Sequence, residues 1–310
     1  MNIIKRSNTR RRRIACIGMY DGLHLGHRFL IDYVEAEGKR RGLATAVVTF
    51  ADHPLKVVAP LRAPRLLTSL DERIGLLEAE GVEDCIILPF TERLRRLSAR
   101  DFLMRLKQRY GVDTLVVGFN TRFGRDCTDG IDEYRRIGAE IGMEILAAPE
   151  YKGKGAPVSS SIIRRYLASG DLRKATEALG RPYRLEGRVT SGRGIGRRIG
   201  FPTANIVPLS EDSVIPAPGV YAVIVTTPDG VRRPAMLNIG YRPTVEAVPA
   251  DMTIEAHILD YTGYLYDKIL QVDFIEMMRR EKRFADTGKL RAQLATDLKK
   301  ARRITSKIIK

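Results

Sequence analysis

The spacing of apolar and polar residues changes once along this chain, close to residue 181. Before that point, short apolar runs alternate with longer stretches in which apolar residues recur every three or four positions. Ile14-Ala15-Cys16-Ile17 is the first run, and the helical stretch after it puts Phe29, Leu30, Tyr33 and Val34 on one face. It closes at Lys39-Arg40-Arg41-Gly42. Cations suit the negative end of a helix and glycine suits the left-handed residue beyond it, so both are stop signals. Thr45 to Phe50, rich in β-branched residues, predicts a second strand. Cys85 to Leu88, Leu115 to Val117 and Met143 to Ala147 predict a third, fourth and fifth. Ser69-Leu70-Asp71-Glu72 has the form of a capping box and opens a helix towards Gly81. Ser98-Ala99-Arg100-Asp101 starts another, with Phe102, Leu103, Leu106 and Tyr110 apolar.

Strands that alternate with helices make βαβ units and a parallel sheet. Ligands of such sheets bind beyond the carboxyl ends of the strands. Three polar segments leave those ends: Gly18 to His27, Thr49 to Pro54 and Gly118 to Gly124. After Gly180 strand-like runs follow one another directly: Leu185–Val189, Val220–Val225, Ala235–Ile239, Ile254–Leu259 and Leu270–Ile275, with a turn at Pro228-Asp229-Gly230. They predict a small antiparallel barrel. A last helix sets Leu290, Leu294 and Leu298 in one stripe. The expected division is therefore 1–180 and 181–310, near Arg181-Pro182, an α/β domain followed by a β domain with a C-terminal helix.

A length of 310 residues fits two domains of roughly 100 to 200 residues each. No run of about 18 apolar residues exists, so no membrane helix is expected, and the basic start is not followed by the apolar core of a secretory signal. Cys16, Cys85 and Cys127 form no CxxC pair and are expected to be reduced thiols, Cys16 and Cys85 buried, which points to the cytoplasm. The net charge of +16 suits phosphate-rich small molecules, acidic membranes or nucleic acid. Nucleic acid is disfavoured, because no stacking-aromatic signature is present and the chain has no Trp. The basic clusters Arg10–Arg13 and Lys299–Arg303 lie near the termini and are expected to be solvated tails. The sequence leaves a homo-oligomer open.

Tyr20-Asp21-Gly22-Leu23-His24-Leu25-Gly26-His27 joins the first strand to the first helix. Gly22 and Gly26 permit a tight backbone that phosphate can approach, and a helix N-terminus offers it free N–H groups. Two imidazoles three residues apart can serve one phosphate. Val158-Ser159-Ser160-Ser161-Ile162-Ile163-Arg164 adds hydroxyls at a helix start and an arginine, a second phosphate-suited set that otherwise makes an ordinary capped helix. The first segment is the HxGH pattern and resembles the nucleotidyltransferase superfamily, which implies a Rossmann-like domain. The second resembles that family's SSTxxR motif, with Ser161 in place of Thr. Thr49-Phe50-Ala51-Asp52-His53-Pro54 resembles the TFxxHP segment of prokaryotic FAD synthetases. Val117 to Gly124 resembles their VGxxFxFG loop, with Thr121 where Phe is usual. The resemblance implies that Gly18, Tyr20, Asp21, Gly22, Ser160, Ser161 and Arg164 bind ATP, that His24 and His27 are catalytic, and that His53, Asn120 and Phe123 meet flavin. For His53 and Phe123, plain packing stands beside that reading.

Gly192-Arg193-Gly194-Ile195-Gly196-Arg197-Arg198-Ile199-Gly200-Phe201-Pro202-Thr203-Ala204-Asn205 is the most specific run. It is no dinucleotide fingerprint: the glycine spacing fails and Pro202 bars a helix opening there. Glycines and arginines still suit phosphate, and Thr203 and Asn205 offer hard oxygen donors for Mg²⁺. In Ile254-Glu255-Ala256-His257-Ile258, alternation puts Glu255 and His257 opposite the apolar face. The run is similar to the glycine-rich loop and PTAN motif of riboflavin kinases, and Asn238-Ile239-Gly240-Tyr241-Arg242-Pro243-Thr244 is similar to their NIGxRPT segment. This implies ATP binding by Gly192, Gly194, Gly196, Gly200 and Pro202, metal binding by Thr203 and Asn205, catalysis by Glu255, and flavin binding by Arg279 and Phe284. Over nearly the whole chain, from Ile14 to about Arg303, the sequence resembles the prokaryotic bifunctional riboflavin kinase/FMN adenylyltransferases. The implied chemistry uses ATP and Mg²⁺, with riboflavin, FMN and FAD as substrates or products.

Overall fold

The computed structural model describes residues 1–5, 11–118, 121–126, 130–153, 157–192, 194–241 and 252–309. Asn120, Cys127, Arg193 and the Arg242-Pro243-Thr244 segment lie outside them. Packing divides the chain into two compact units, Met1–Ser159 and Ser160–Lys310.

The first unit runs β1 (Asn2–Ile4), β2 (Arg13–Ile17), α1 (Leu25–Arg41), β3 (Ala44–Phe50), α2 (Leu55–Val58), α3 (Leu70–Ala79), β4 (Asp84–Leu88), α4 (Glu92–Arg95), α5 (Ala99–Tyr110), β5 (Val112–Val117), α6 (Ile131–Ile141) and β6 (Glu144–Ala147). The strands form one parallel sheet in the order β1-β4-β3-β2-β5-β6. From β2 the chain builds outward through β3 and β4, then returns to the other side of β2 for β5 and β6. That reversal is where a parallel sheet opens a crevice. Alternate strand residues feed two cores. Ala15, Ile17, Val48, Ile86, Leu115 and Val117 pack with Phe102, Leu106 and Tyr134. Ile14, Cys16, Val47, Cys85 and Val116 pack with Ile31, Val34 and Leu77.

The helix ends follow the sequence signals. Ser69 and Ser98 accept hydrogen bonds from the Glu72 and Asp101 N–H groups at 3.1 Å, and Gly42 closes α1 in the left-handed region. The buried stripe of α1 is Ile31, Val34 and Gly38, while Leu30 and Tyr33 are only partly buried beside it. Phe29, expected on that face, instead meets the Tyr151 ring at 5.6 Å.

The basic cluster at residues 11–13 is not a solvated tail. Arg13 is 1% exposed and pairs with Asp84, equally buried, at 2.7 Å; it also donates to the Tyr110 carbonyl at 2.7 Å. Asn2 donates to the other Asp84 oxygen at 2.8 Å, Arg11 binds Glu83 at 2.7 Å, and Arg12 binds Asp113. The starts of β1, β2 and β4 and the end of α5 thus meet at one buried ion pair. β1 was not foreseen, because three residues carry no period.

The second unit runs α7 (Ser160–Ser169), α8 (Leu172–Leu179), β7 (Tyr183–Thr190), α9 (Ile195–Arg198), β8 (Ala204–Pro208), β9 (Gly219–Thr226), β10 (Arg232–Tyr241), β11 (Met252–Ile258), β12 (Ile269–Arg279) and α10 (Thr287–Thr305). Its six strands close in the order β10-β11-β8-β7-β12-β9. The strand β8 joins the five expected from the pattern. Leu185, Val189, Ile206, Val223, Leu237, Ile254, Ala256, Val272 and Phe274 are all buried. On the outside, α10 lays Leu294, Leu298 and Ala301 over Val220, Ala222, Met236 and Met278. Its buried Asp297 takes the Arg279 guanidinium at 2.8 Å, and Lys300 donates to the Met278 carbonyl at 3.0 Å. The cations of the C-terminal cluster are therefore partly tied down too: Arg302 pairs with Asp260 at 2.9 Å.

Removing one member of a buried pair strands the other, which costs about 3–5 kcal/mol, whereas apolar replacement of both is often neutral. Asp84→Ala should lower the stability of the sheet unit by about that amount in urea unfolding, and Arg13→Met with Asp84→Leu should recover most of it.

Candidate active sites

The loop between β2 and α1 is the most strained stretch of the first unit. Tyr20, Gly22 and Leu23 all have positive φ (50°, 79° and 36°). Only glycine adopts that region freely; for side chains as bulky as Tyr20 and Leu23 it costs on the order of 1–3 kcal/mol each. Both side chains are fully buried, and that burial holds them there. The Leu23 N–H bonds the Tyr20 carbonyl at 3.0 Å, which tightens the turn. Asp21 does not face outward. Its Oδ1 accepts from the Leu67 N–H at 2.8 Å, the Thr68 N–H at 3.1 Å and the Thr68 hydroxyl at 3.3 Å, and that hydroxyl accepts from the Gly22 N–H at 3.0 Å.

His24 caps α1. Its Nδ1 accepts from the His27 N–H at 3.3 Å, so the neutral ring carries its proton on Nε2. His27 stacks on it, centroids 3.6 Å apart and planes 14° from parallel, with the Tyr20 ring at 5.1 Å. Burial first, then the His24 ring and the Arg73 guanidinium, holds the His27 imidazole well below its ordinary range, hence neutral. The His27 and Arg28 N–H groups bond His24, whereas no hydrogen bond within the described residues occupies those of Leu25 and Gly26. A stacked histidine pair above open helix-start amides is suited to an anion of the phosphate kind. Arg73, which the sequence reading missed, lies in this neighbourhood. It is 1% exposed and donates to the Met19 and Phe50 carbonyls, each at 2.7 Å. Its only sequence signal is an arginine one turn into α3.

The neighbouring segments divide. His53 Nδ1 accepts from the Leu55 N–H at 3.1 Å at the start of α2. Phe123 stacks on Tyr134 at 4.2 Å and meets Phe102 at 5.4 Å, while the Tyr134 hydroxyl bonds both the N–H and the carbonyl of Phe123. Its ring is a packing element. The Thr121 N–H bonds the Gly118 carbonyl at 3.0 Å. Ser160, Ser161 and Arg164 stand in the first turns of α7, whose buried side is Ile163 and Leu167.

In the second unit the register sets a polar row. Asn205 of β8 lies opposite Thr190 of β7 and Glu255 of β11, and Glu255 lies opposite Asn238 of β10. Opposite residues share a face. The four are half-buried, and alternate neighbours Val189, Ile206, Ile254 and Ile239 are buried. The row therefore stands on the outer face of the barrel. The Thr203 hydroxyl donates to Glu255 Oε2 at 3.2 Å. His257 Nδ1 donates to the Pro202 carbonyl at 2.8 Å, and its ring meets Phe201 at 5.5 Å. The glycine-rich loop folds over this row: the Asn205 amide occupies the space where any side chain on Gly192 would go. Gly194 and Gly200 have positive φ and bracket the single turn α9, and the Phe201 N–H returns to the Gly196 carbonyl at 2.8 Å. That turn ends before Pro202. Asn238, quoted within a motif but not assigned a role, is brought into the row by register alone. Arg279, expected at a flavin, gives its charge to Asp297, and Phe284 lies 5.8 Å from its guanidinium.

A family model described as FAD synthetase matches residues 6–162, and one described as riboflavin kinase matches residues 179–305. The bifunctional riboflavin kinase/FMN adenylyltransferase of Escherichia coli (strain K12) is 37% identical over 285 residues, covering 92% of this chain and 90% of the relative. The chain belongs to the bifunctional riboflavin kinase/FMN adenylyltransferase family. The member from Pseudomonas fluorescens is also 37% identical, over 94% of this chain and 93% of its own length. The crystal structure of a macrolide-efflux protein from Streptococcus pneumoniae shares the fold, with a TM-score of 0.86 at 27% identity over 97% of this chain and 98% of that one. Its name describes that protein. Among the described residues of this family member, no helix is long and apolar enough to cross a membrane.

Cys16 and Cys85 sit in the core beneath Tyr20 and are free. Burial pushes the Cys16 thiol up to about 12 and the Cys85 thiol up to about 11. Thiolate is the reactive form, so near pH 8 neither should react in the folded protein. Alkylation followed by peptide mapping should find both unmodified until the sheet unit unfolds.

Proposed function

We infer that this protein makes FAD from riboflavin in two ATP-dependent steps, the barrel unit acting as riboflavin kinase and the sheet unit as FMN adenylyltransferase. The observation that carries the reading is the pair of built sites: a histidine pair on a strained strand-to-helix loop, and a glycine-rich loop folded over a Thr–Asn–Glu row. We place the start of the kinase module at Arg181, two residues before β7, with residues 1–180 serving adenylyl transfer.

In the kinase step the ribityl 5′-hydroxyl oxygen bonds to the γ-phosphorus as the bond to the bridging oxygen breaks, giving FMN and ADP. Glu255 receives the hydroxyl proton; positioning and charge stabilisation carry most of the rate. Gly192, Gly194, Gly196, Gly200 and Pro202 shape the phosphate loop. Thr203 and Asn205 fit Mg²⁺, because a hydroxyl and an amide oxygen beside the Glu255 carboxylate form a hard donor set. The ion would neutralise phosphate charge. Phe284 lines the flavin side, and Arg279 shapes it through Asp297.

In the second step an FMN phosphate oxygen bonds to the α-phosphorus of ATP, and the bond to the bridging oxygen breaks to release pyrophosphate. His24 and His27 donate from Nε2 to the oxygens that gain charge. The motif resemblance assigns Ser160, Ser161 and Arg164 to ATP binding. Gly18, Tyr20, Asp21 and Gly22 set the loop. His53 and Asn120 serve the flavin, and Phe123 supports it by fixing the loop. Free buried cysteines and soluble substrates favour the cytoplasm. Small molecules, not nucleic acid, are its partners: the chain has no Trp and no stacking-aromatic signature, and Arg11, Arg13 and Arg302 are paired within the fold.

Chromatography of flavins after incubation with riboflavin, ATP and Mg²⁺ tests this. The parent protein should yield FMN and then FAD. Glu255→Ala should cut FMN formation on the order of 100-fold or more and leave conversion of supplied FMN intact, and His27→Ala should do the reverse. Loss of both activities in a folded Glu255→Ala protein would refute separate sites.

A further inference from the structure

We propose that Arg73 is a positioning residue for adenylyl transfer: its guanidinium ties the ends of β2 and β3 together beneath the histidine loop and supplies that loop with fixed positive charge. The proposal rests on the assignment of adenylyl transfer to His24 and His27.

Several observations converge on it. Arg73 is 1% exposed, and a cation is rarely kept so deep unless something needs it there. Its partners are neutral. Nη1 donates to the Met19 carbonyl and Nη2 to the Phe50 carbonyl, each at 2.7 Å. These carbonyls belong to the residues where the Tyr20–His27 loop and the Asp52–Pro54 segment leave the sheet. No ion pair within the described residues includes Arg73, and its Nε is buried without a hydrogen-bond partner. The His27 Nδ1 is buried and unpartnered as well. Two such groups in one neighbourhood form a polar lining beneath the histidine loop, where apolar core would be expected to fill the space.

The charged and titratable groups that face this cluster are few. Asp21 of the loop and Asp52 after β3 act on Arg73 from the carboxylate side, and the Cys85 thiol of β4 lies near it. His27 faces His24 on its own helix, Arg73 on α3 and the Tyr20 ring. Asp21 already serves the Leu67 and Thr68 donors. The cation is therefore left to act on the loop. Added to burial, the largest cause, and to the His24 ring, it opposes a proton on His27, and the ring stays a neutral donor as phosphate charge develops. Held by two carbonyls, it also fixes where that loop begins.

The chain has four histidines, so their imidazole signals can be assigned by single substitutions and titrated by NMR. In Arg73→Met, His27 should titrate at higher pH. The neutral ring is then lost as pH falls through that raised value, so the acid limb of the kcat profile for FAD formation moves to higher pH. At the optimum kcat should fall on the order of 100-fold, the scale of a small misplacement of reacting groups, with KM for ATP little changed. Arg73→Lys should restore the His27 titration but only part of kcat, since an ammonium does not reproduce the two-pronged geometry. Riboflavin phosphorylation by the same samples, together with the circular dichroism melt of the sheet unit, separates these effects from unfolding. An unchanged His27 titration and kcat in folded Arg73→Met overturns the proposal. So does equal loss in both variants with one common pH profile, which would mean scaffolding alone. If His27→Ala itself leaves FAD formation unchanged, the assignment of the histidine site falls instead.

Discussion

A parallel strand cannot return to its neighbour without a crossover, and the first unit is organised by that constraint. From β2 onward, each strand sends its chain out at the same edge and the chain comes back through a helix. Every loop after a strand therefore emerges on one side, and the reversal at β2 leaves the loops after β3, β2 and β5 beside one another. The opposite edge carries the buried Arg13–Asp84 pair, which sets where the strands start. One edge thus fixes register and the other is free to carry chemistry.

The barrel solves a different problem. Closure removes edges and fills the interior with side chains, so no space is left inside for a substrate. Polar function has to stand on the outer face, beside what α10 covers and beneath the glycine-rich loop. Register places Thr190, Asn205, Glu255 and Asn238 there, one from each of four strands. The two candidate sites are therefore built on opposite principles, one from loops at a sheet edge and one from a row across strands.

Much of this was legible in the residues. Period and caps located most strands and helices, because Ser69, Ser98 and Gly42 act locally and their effect does not depend on distant neighbours. The motifs located both loops. What was not legible depends on contacts between residues far apart in sequence. Arg11 to Arg13 look like a tail until Asp84 and Glu83 are brought beside them. β1 exists only because β4 pairs with it. Asp21 carries a motif assignment, but its donors Leu67 and Thr68 are 46 and 47 residues away. Arg279 is expected at a flavin, and its partner Asp297 comes from α10. Arg73 carries no motif, and only burial singles it out.

The left-handed Tyr20 and Leu23 have a further consequence. Their backbones are held against preference by side chains clamped in the core, so the shape of the histidine loop is an output of the packing below it. Cys16, Cys85, Ile31 and Val34 are then under two kinds of selection: for the volume that stabilises the sheet, and for the shape of the mould in which the loop is cast. On the other face of the sheet, Ile17, Val48 and Leu115 answer only to the first. Natural variation should accordingly be narrower on one side of this sheet than on the other, although both sides are equally buried.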